Sequence, residues 1–219
     1  MILTVSLNEI DASTKKAARG AGLNWGLAEE AGRAVRWLAR HDLPNIELIV
    51  PLLELITGKQ AGEISPAIKP ERWLAKAEIL CPITTGAALS DNVELISTCN
   101  GLIIEGVSYP LLLLPFLAGA TQSPWHYEIS WQGFNGKILN NDLLIVAIEP
   151  DALFMAIANV KIKKFSEPVK DKTNRSQSFS TPVDLELWRK LQDFSMKTYV
   201  PATLESRNRG AGAGTSDND

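Results

Sequence analysis

This sequence of 219 residues contains few cysteines and histidines and has a small net charge. Its two cysteines, Cys81 and Cys99, are too few for a disulfide-rich secreted scaffold and indicate reduced thiols. Its two histidines, His41 and His126, form neither an HExxH pattern nor a histidine pair, so we predict no metal site. A formal charge of −3 is too small to attract nucleic acid or an anionic membrane. The basic stretch 161–175 contains no aromatic residue other than Phe165, whereas a nucleic-acid site interleaves several, which favours a solvated loop.

Cofactor motifs and long apolar runs are missing as well. The segment Gly20–Trp25 has tryptophan where a dinucleotide fingerprint needs its third glycine, so no cofactor is expected. The most apolar run, 111–120, is broken by Pro115 and is far shorter than a membrane span. Because the N-terminus also lacks the basic start and apolar stretch of a signal peptide, we expect a cytoplasmic protein without a membrane partner.

Apolar residues, in contrast, are abundant enough for one sizeable core. They make up 45% of the chain and include six tryptophans, each of which removes a large apolar area from water when buried. The length predicts a single α+β domain over residues 1–200. From residue 201 to 219 the composition changes to a glycine-rich acidic tail.

The first third of the chain has helical periodicity. Apolar spacing predicts three helices, over about 7–19, 25–41 and 45–57. Ser6 begins a capping-box pattern before the first helix, which should end near Gly20 or Gly22. Asn24 is positioned to cap the second helix, and Gly58 ends the third.

The middle of the chain changes to strand-like alternation. The pairs Asn100-Gly101 and Asn135-Gly136 predict type I′ hairpin turns, since both central residues of such a turn need a positive φ. The predicted strands are Val93–Ser97, Leu102–Glu105, Tyr127–Trp131, Lys137–Leu139, Leu143–Ile148 and about Leu153–Ile162. A short buried helix is predicted over Leu111–Ala118. A last helix is predicted to begin at Thr181, with that residue as its N-cap. The predicted fold class is therefore α+β, with N-terminal helices packed on a mainly antiparallel, hairpin-rich sheet and one C-terminal helix.

Several segments together carry a family resemblance. They are Ser6–Glu9, Ala17–Gly22, Trp25–Gly32, Gly86–Asp91, Tyr199–Ala202, Ser206–Arg207, Gly210–Gly214 and Asp217–Asp219. In combination they resemble a family of uncharacterised bacterial proteins known as DUF3726. The resemblance implies no activity, because the function of that family is unknown. It does imply that the terminal segments are characteristic of the family.

The predicted turn between the first two helices is a candidate site for an anionic small molecule. Gly20 and Gly22 precede a helix N-terminus, where free N–H groups and the helix dipole favour an anion. Arg19 adjoins the turn, and Trp25 and Arg33 follow it as further candidate ligand-binding residues. The alternative is that the two glycines only turn the chain between the helices.

Three acidic residues are candidates for acid–base catalysis. Glu29 and Glu30 follow Trp25, and partial burial under that ring would raise the pKa of one glutamate toward the range of a general acid or base. Asp91 follows the small residues Gly86–Ser90 in a predicted loop that enters the sheet, where a ligand could approach the backbone closely. The alternatives are a solvated helix face with ion pairs four residues apart, and a capped turn.

Two functional hypotheses follow. The first is a small-molecule enzyme, or an enzyme accessory protein, that acts on an anionic metabolite by acid–base chemistry. The second is a non-catalytic protein, as a homo-oligomer or with a protein partner, whose tail inserts into another subunit and contributes Arg207 and Arg209 to a neighbouring pocket. The tail is equally compatible with disorder. The enzyme hypothesis requires Arg19, Glu29, Asp91 and the tail to converge on one concave pocket.

Overall fold

A computed structural model describes residues 1–76, 78–97, 101–121, 125–166 and 179–198. Its helices are α1 (Leu7–Gly20), α2 (Trp25–Arg40), α3 (Ile46–Ile56), α4 (Ala61–Ile64), α5 (Pro82–Asp91), α6 (Leu114–Ala120) and α7 (Leu185–Met196). Its strands are β1 (Ile2–Ser6), β2 (Pro66–Ala67), β3 (Arg72–Ala75), β4 (Leu102–Ser108), β5 (Trp125–Trp131), β6 (Phe134–Leu139), β7 (Asp142–Ile148), β8 (Ile157–Ser166) and β9 (Ser180–Asp184). The predicted α+β class is confirmed.

The N-terminal helices begin and end where local signals predict. The Ser6 hydroxyl accepts a hydrogen bond from the Glu9 amide at 3.2 Å, and the Asn24 side chain accepts one from the Leu27 amide at 2.9 Å. Both bonds satisfy amides that have no partner within the first turn of a helix. After α1 ends, Gly22 adopts a φ of 109°, which a residue with a Cβ rarely adopts.

The strands form a seven-stranded sheet in the order β2-β3-β4-β8-β5-β6-β7, with parallel pairing between β3 and β4 and antiparallel pairing elsewhere. The alternating residues Tyr127, Ile129 and Trp131 are all buried, as predicted. Helix α6 packs against β6 and against α2 and α5, and α1 packs between α2 and α7. One hydrophobic core cluster runs through these elements.

The first predicted hairpin is wrong. Residues Val93–Ser97 form a 3₁₀ helix, and β4 lies between β3 and β8. Because both edges of β4 pair with strands that are distant in sequence, no edge is left for a local hairpin partner. The strand predicted from about Leu153 begins at Ile157, since Pro150–Phe154 forms another 3₁₀ turn. The predicted basic loop is also partly strand, because β8 extends through Ser166.

The second predicted hairpin exists, but its turn lies elsewhere. Strands β5 and β6 pair around Gln132-Gly133, where Gly133 adopts a φ of 75°, and Gly136 lies within β6. The rings of Trp131 and Phe134 stack beside this turn with centroids 4.0 Å apart, and both are buried. A Cβ on Gly136 would lie 3.0 Å from the Phe134 ring, so this glycine makes room for that ring.

The predicted start of the last helix is wrong by three residues, because its N-cap is Asp184 and not Thr181. Ser180–Asp184 forms β9, which pairs with β1 in a separate two-stranded ribbon. Helix α7 begins at Leu185, and the Asp184 carboxylate accepts hydrogen bonds from the amides of Glu186 at 2.8 Å and Leu187 at 3.3 Å. The pairing partner β1 lies at the other end of the chain, so local sequence signals could not reveal it.

Candidate functional site

A cleft of about 350 Å³ lies between α2, α5, α6 and the turn that joins β6 to β7. It is named here the α2–α6 cleft and is lined by Glu30, Arg33, Ala34, Trp37, Ser90, Pro115, Phe116, Gly119 and Asn141. A volume of this size falls at the lower end of the range for small-molecule sites. Among the described residues, no helix is both long and apolar enough to cross a membrane. The described residues also contain no group of three or more histidine, cysteine or acidic side chains that could bind a metal ion.

Helix α2 presents one face to the cleft and another to the core. Glu30, Arg33 and Trp37 lie three, four or seven residues apart, which places them on one side of a helix. Val35 and Leu38 are fully buried on the core side. The amphipathic pattern of this helix therefore orients the polar residues of the cleft.

The polar groups of the cleft are held in position by hydrogen bonds. The Arg33 guanidinium donates to Glu30 Oε1 at 2.7 Å, and its other terminal nitrogen lies 3.7 Å from Glu29 Oε2. The Trp37 indole N–H donates to Asn141 Oδ1 at 3.3 Å. The cleft thus contains a guanidinium and a carboxylate beside two aromatic rings, those of Trp37 and Phe116.

Two of the predicted ligand-binding residues, Arg19 and Trp25, lie on the surface outside the cleft lining, together with Glu29. Lys15 of α1 donates to the Glu29 carboxylate, and the Arg19 guanidinium donates to the Leu23 carbonyl at 3.1 Å. The same guanidinium lies 5.6 Å from the Trp25 ring centroid, and Trp25 is 54% exposed. Lys15, Arg19, Trp25 and Glu29 form a group that we name the α1–α2 cluster. Arg33 connects this cluster to the cleft, since it contacts both Glu29 and Glu30.

The two glycines of the predicted anion site each have a structural reason to be glycine. A Cβ on Gly20 would overlap the carbonyl oxygen of Phe194, so Gly20 lets the end of α1 approach the backbone of α7. Gly22 has open space around it, but its φ of 109° disfavours any side chain. These observations favour the alternative in which the glycines turn and pack the chain. A ligand-binding role for them stays a prediction.

Glu29 is not a glutamate with a raised pKa. The hydrogen bond and positive charge of Lys15 hold the pKa of the Glu29 carboxyl below its usual value, and Arg33 acts in the same direction. The Trp25 ring lies near the cations of Lys15 and Arg19, and 43% of the Glu29 side chain remains exposed to solvent. Glu29 is therefore ionised at neutral pH and poorly suited to donate a proton.

The predicted loop around Asp91 is also wrong. The segment is helix α5, which begins with Pro82 and has Asp91 as its last residue. Its small residues serve helix packing, because a Cβ on Gly86 would overlap the Phe116 ring of α6. Ser90 lines the cleft, whereas the neighbouring Asp91 is exposed and does not.

The structure thus brings only part of the predicted set together, and the convergence of Arg19, Glu29 and Asp91 on one pocket, which the enzyme hypothesis requires, is not found. Glu30 and Arg33 line the cleft, whereas Arg19, Trp25 and Glu29 lie in the α1–α2 cluster. Arg207 and Arg209 lie outside the described residues, as does the rest of the tail over 201–219. The tail-insertion hypothesis and the division into a domain and a tail therefore stay predictions.

Sequence reasoning did not identify Trp37, Ser90, Phe116 or Asn141 as site residues. A signal was available only for Trp37, which lies four residues after Arg33 on the same helical face. The other three belong to α5, α6 and the β6–β7 turn, and only tertiary packing brings them to α2.

Comparison with known proteins gives a family match over part of the chain and no activity. A family described as "Protein of unknown function (DUF3726)" matches residues 5–79, which confirms the predicted resemblance over that segment; the predicted segments from Gly86 onward lie outside the match. The matched segment includes Glu30, Arg33 and Trp37 of the cleft. No curated protein matches the chain. Among solved structures, malate dehydrogenase from Entamoeba histolytica is similar at 10% identity with a TM-score of 0.44. That match covers 60% of this chain and 39% of the dehydrogenase chain.

Proposed function

We propose that this chain, whose residues 5–79 match the DUF3726 family, binds a small carboxylate with a flat apolar body in the α2–α6 cleft. The observation that carries the proposal is the presence of Arg33 beside the rings of Trp37 and Phe116 in one concave site. A small number of convergent polar groups within an otherwise apolar cleft is the usual composition of a small-molecule site.

Arg33 is the residue that recognises the carboxylate. A guanidinium presents five N–H donors in a plane, so it can bind a carboxylate through two parallel hydrogen bonds while it contacts other acceptors. Its contacts with Glu30 and Glu29 hold the side chain in one orientation before the ligand arrives. Lys15 also neutralises the Glu29 carboxylate, so Glu29 offsets less of the positive charge that Arg33 presents to the ligand.

Glu30 is the acidic residue positioned for acid–base chemistry on such a ligand. It lines the cleft next to Arg33, whereas Glu29 is held by Lys15 and Asp91 lies outside the lining. A carboxylate beside the guanidinium can accept a proton or a hydrogen bond from the ligand group next to the bound carboxylate. The aromatic rings of Trp37 and Phe116 supply the apolar surface that excludes water from the ligand body.

The substitution Arg33→Gln is expected to weaken carboxylate binding by about 10- to 100-fold, since a hydrogen bond to a charged group contributes roughly 1.5–3 kcal/mol. Isothermal titration calorimetry with phenylacetate and indole-3-acetate measures the change. The neutral amides of both acids serve as ligand controls and should not bind. Arg36→Gln is the matched variant, because Arg36 is on the same helix but pairs with Asp11 at 3.6 Å, away from the cleft lining. Equal losses in both variants, or binding of neither acid to the wild type, would contradict the proposal.

The substitution Gly119→Leu is expected to abolish binding of both acids without lowering the melting temperature. Gly119 lines the cleft, and a Cβ there would meet no atom within 4 Å, so the new side chain can occupy ligand space. Leucine also favours the helix by about 0.5–1 kcal/mol relative to glycine. Calorimetry and a thermal melt measure the two effects. Gly62→Leu, at an equally open position in α4, should leave binding intact. Unchanged binding in Gly119→Leu would place the ligand outside the cleft.

A further inference from the structure

One side of the cleft is built by a contact between the C-terminal end of α2 and the β6–β7 turn. The turn contains Asn140 and Asn141, which adopt positive φ values of 50° and 69°. They form a two-residue loop between the paired residues Leu139 and Asp142. Such a tight turn needs positive φ values, which asparagine tolerates better than most residues. Its Asn141 side chain accepts the hydrogen bond from the Trp37 indole, and both residues line the cleft.

His41 lies next to Trp37 and contacts both sides of this junction, Trp37 on α2 and Asp142 at the start of β7. Its imidazole stacks on the Trp37 ring with centroids 3.8 Å apart, and only 8% of the His41 side chain is exposed. The Nδ1 atom lies 2.8 Å from the Trp37 carbonyl oxygen. Since a carbonyl can only accept a hydrogen bond, Nδ1 carries a proton in this arrangement. The Nε2 atom lies 3.5 Å from Asp142 Oδ1, at the start of β7.

These contacts give the two protonation states of His41 opposite effects on the junction. In the neutral ring Nδ1 holds the proton, so Nε2 presents a lone pair to the Asp142 carboxylate and repels it. In the protonated ring Nε2 presents an N–H donor with positive charge to the same carboxylate, which attracts it. Protonation of His41 therefore draws the β6–β7 turn toward α2 without disturbing the bond to the Trp37 carbonyl.

The charged surroundings of His41 indicate Asp142 as its partner. On its own helix and the following turn, the neighbours Arg40 and Asp42 are both exposed to solvent. From the β6–β7 side, Asp142 is the acidic group at contact distance. Among the described residues, no other ion pair is formed with His41.

We propose that His41 is a positioning residue that couples pH to ligand binding, by holding Trp37 and the β6–β7 turn at the edge of the α2–α6 cleft when it is protonated. The effect on the ligand rests on the proposed function, whereas the effect on Trp37 does not. Coupling between two sites of a protein is typically 5- to 150-fold in affinity. For this local junction we expect phenylacetate to bind about fivefold more tightly at about pH 5.5 than at about pH 8.

The first arm of the test needs no ligand. The indole N–H signal of Trp37 is identified by its loss in Trp37→Phe, and its chemical shift is followed by NMR from about pH 8 to about pH 5.5. We expect the signal to titrate in the wild type, to stop titrating in His41→Gln, and to change less in Asp142→Asn, where the imidazole still stacks on Trp37 but no longer attracts the turn. The second of these variants keeps the test valid if the first does not fold. His126→Gln is the matched control, because His126 is buried on β5 and lies outside the cleft lining, and the Trp37 titration should persist in it.

The second arm measures phenylacetate affinity over the same pH range. A wild-type Trp37 signal that does not titrate, or a titration that survives His41→Gln, overturns the role of His41. Loss of the titration in a His126→Gln protein whose circular dichroism matches the wild type overturns it as well. If the Trp37 signal titrates through His41 but phenylacetate does not bind, the pH-sensitive junction stands and the proposed function falls. If phenylacetate binds with the same affinity at both pH values, the junction does not regulate the cleft and the proposal fails.

Discussion

Trp73→Ala is expected to lower the free energy of unfolding by about 3–5 kcal/mol, the usual cost of removing a large aromatic ring from a core. Trp73 lies on the short strand β3, opposite Ile104 of β4, and both side chains are fully buried. The ring therefore packs one end of the sheet against the hydrophobic core. Alanine would leave a cavity that the surrounding strands and helices can close only in part.

Two further variants make this prediction specific. Within the described residues the Trp73 indole nitrogen has no hydrogen-bond partner, so Trp73→Phe removes an unsatisfied buried group together with part of the ring. We expect a smaller loss there, about 1.5 kcal/mol or less. Trp125→Ala removes a ring that is 44% exposed and should cost less than Trp73→Ala. Urea unfolding followed by circular dichroism measures the free energy of unfolding of all three variants. A loss in Trp73→Ala no larger than in Trp125→Ala would contradict the core role of Trp73.

Gly20→Ala is expected to destabilise the protein by about 3 kcal/mol, at the upper end of the range for overpacked sites. In an open helix position the same substitution would stabilise by about 0.5–1 kcal/mol. The sign reverses here because the new Cβ would overlap the carbonyl oxygen of Phe194, and backbone cannot rotate aside as a side chain can. Helix α7 must then move away from α1, with loss of the hydrogen bond from the Ser195 hydroxyl to the Ser13 carbonyl at 3.1 Å.

Gly22→Ala is the matched comparison for this variant. Its new Cβ would meet open space, so only the backbone conformation at a φ of 109° opposes the substitution. We expect a cost of about 1–2 kcal/mol, without displacement of α7. Urea unfolding gives the two free energies, and the indole signal of Trp188 on α7 reports displacement by NMR. Equal costs for the two variants, or an unchanged Trp188 signal in Gly20→Ala, would contradict the packing role of Gly20.

The accuracy of the sequence predictions follows the distance over which each interaction acts. The caps at Ser6 and Asn24 form hydrogen bonds three residues along the chain, so a short window of sequence contains both partners. The pairing of β1 with β9 joins the two ends of the described chain, and β4 lies between strands that are far from it in sequence. An Asn-Gly pair predicts a local turn, but Gly136 lies inside β6 beside the Phe134 ring, and the turn falls at Gln132-Gly133.

The residues of the candidate site show the same difference between local and long-range interactions. The sequence by itself determined that Glu30 and Arg33 lie on one face of a helix, because the helical repeat places residues three apart side by side. Only the tertiary structure decided which acidic residue faces a cleft and which is held at the surface. Glu29 pairs with Lys15 because α1 packs against α2, and this contact lowers the pKa of one of the two glutamates for which the sequence allowed a raised value. The walls of the cleft, Phe116 and Asn141, come from segments far along the chain, whose positions depend on core packing that no local pattern encodes.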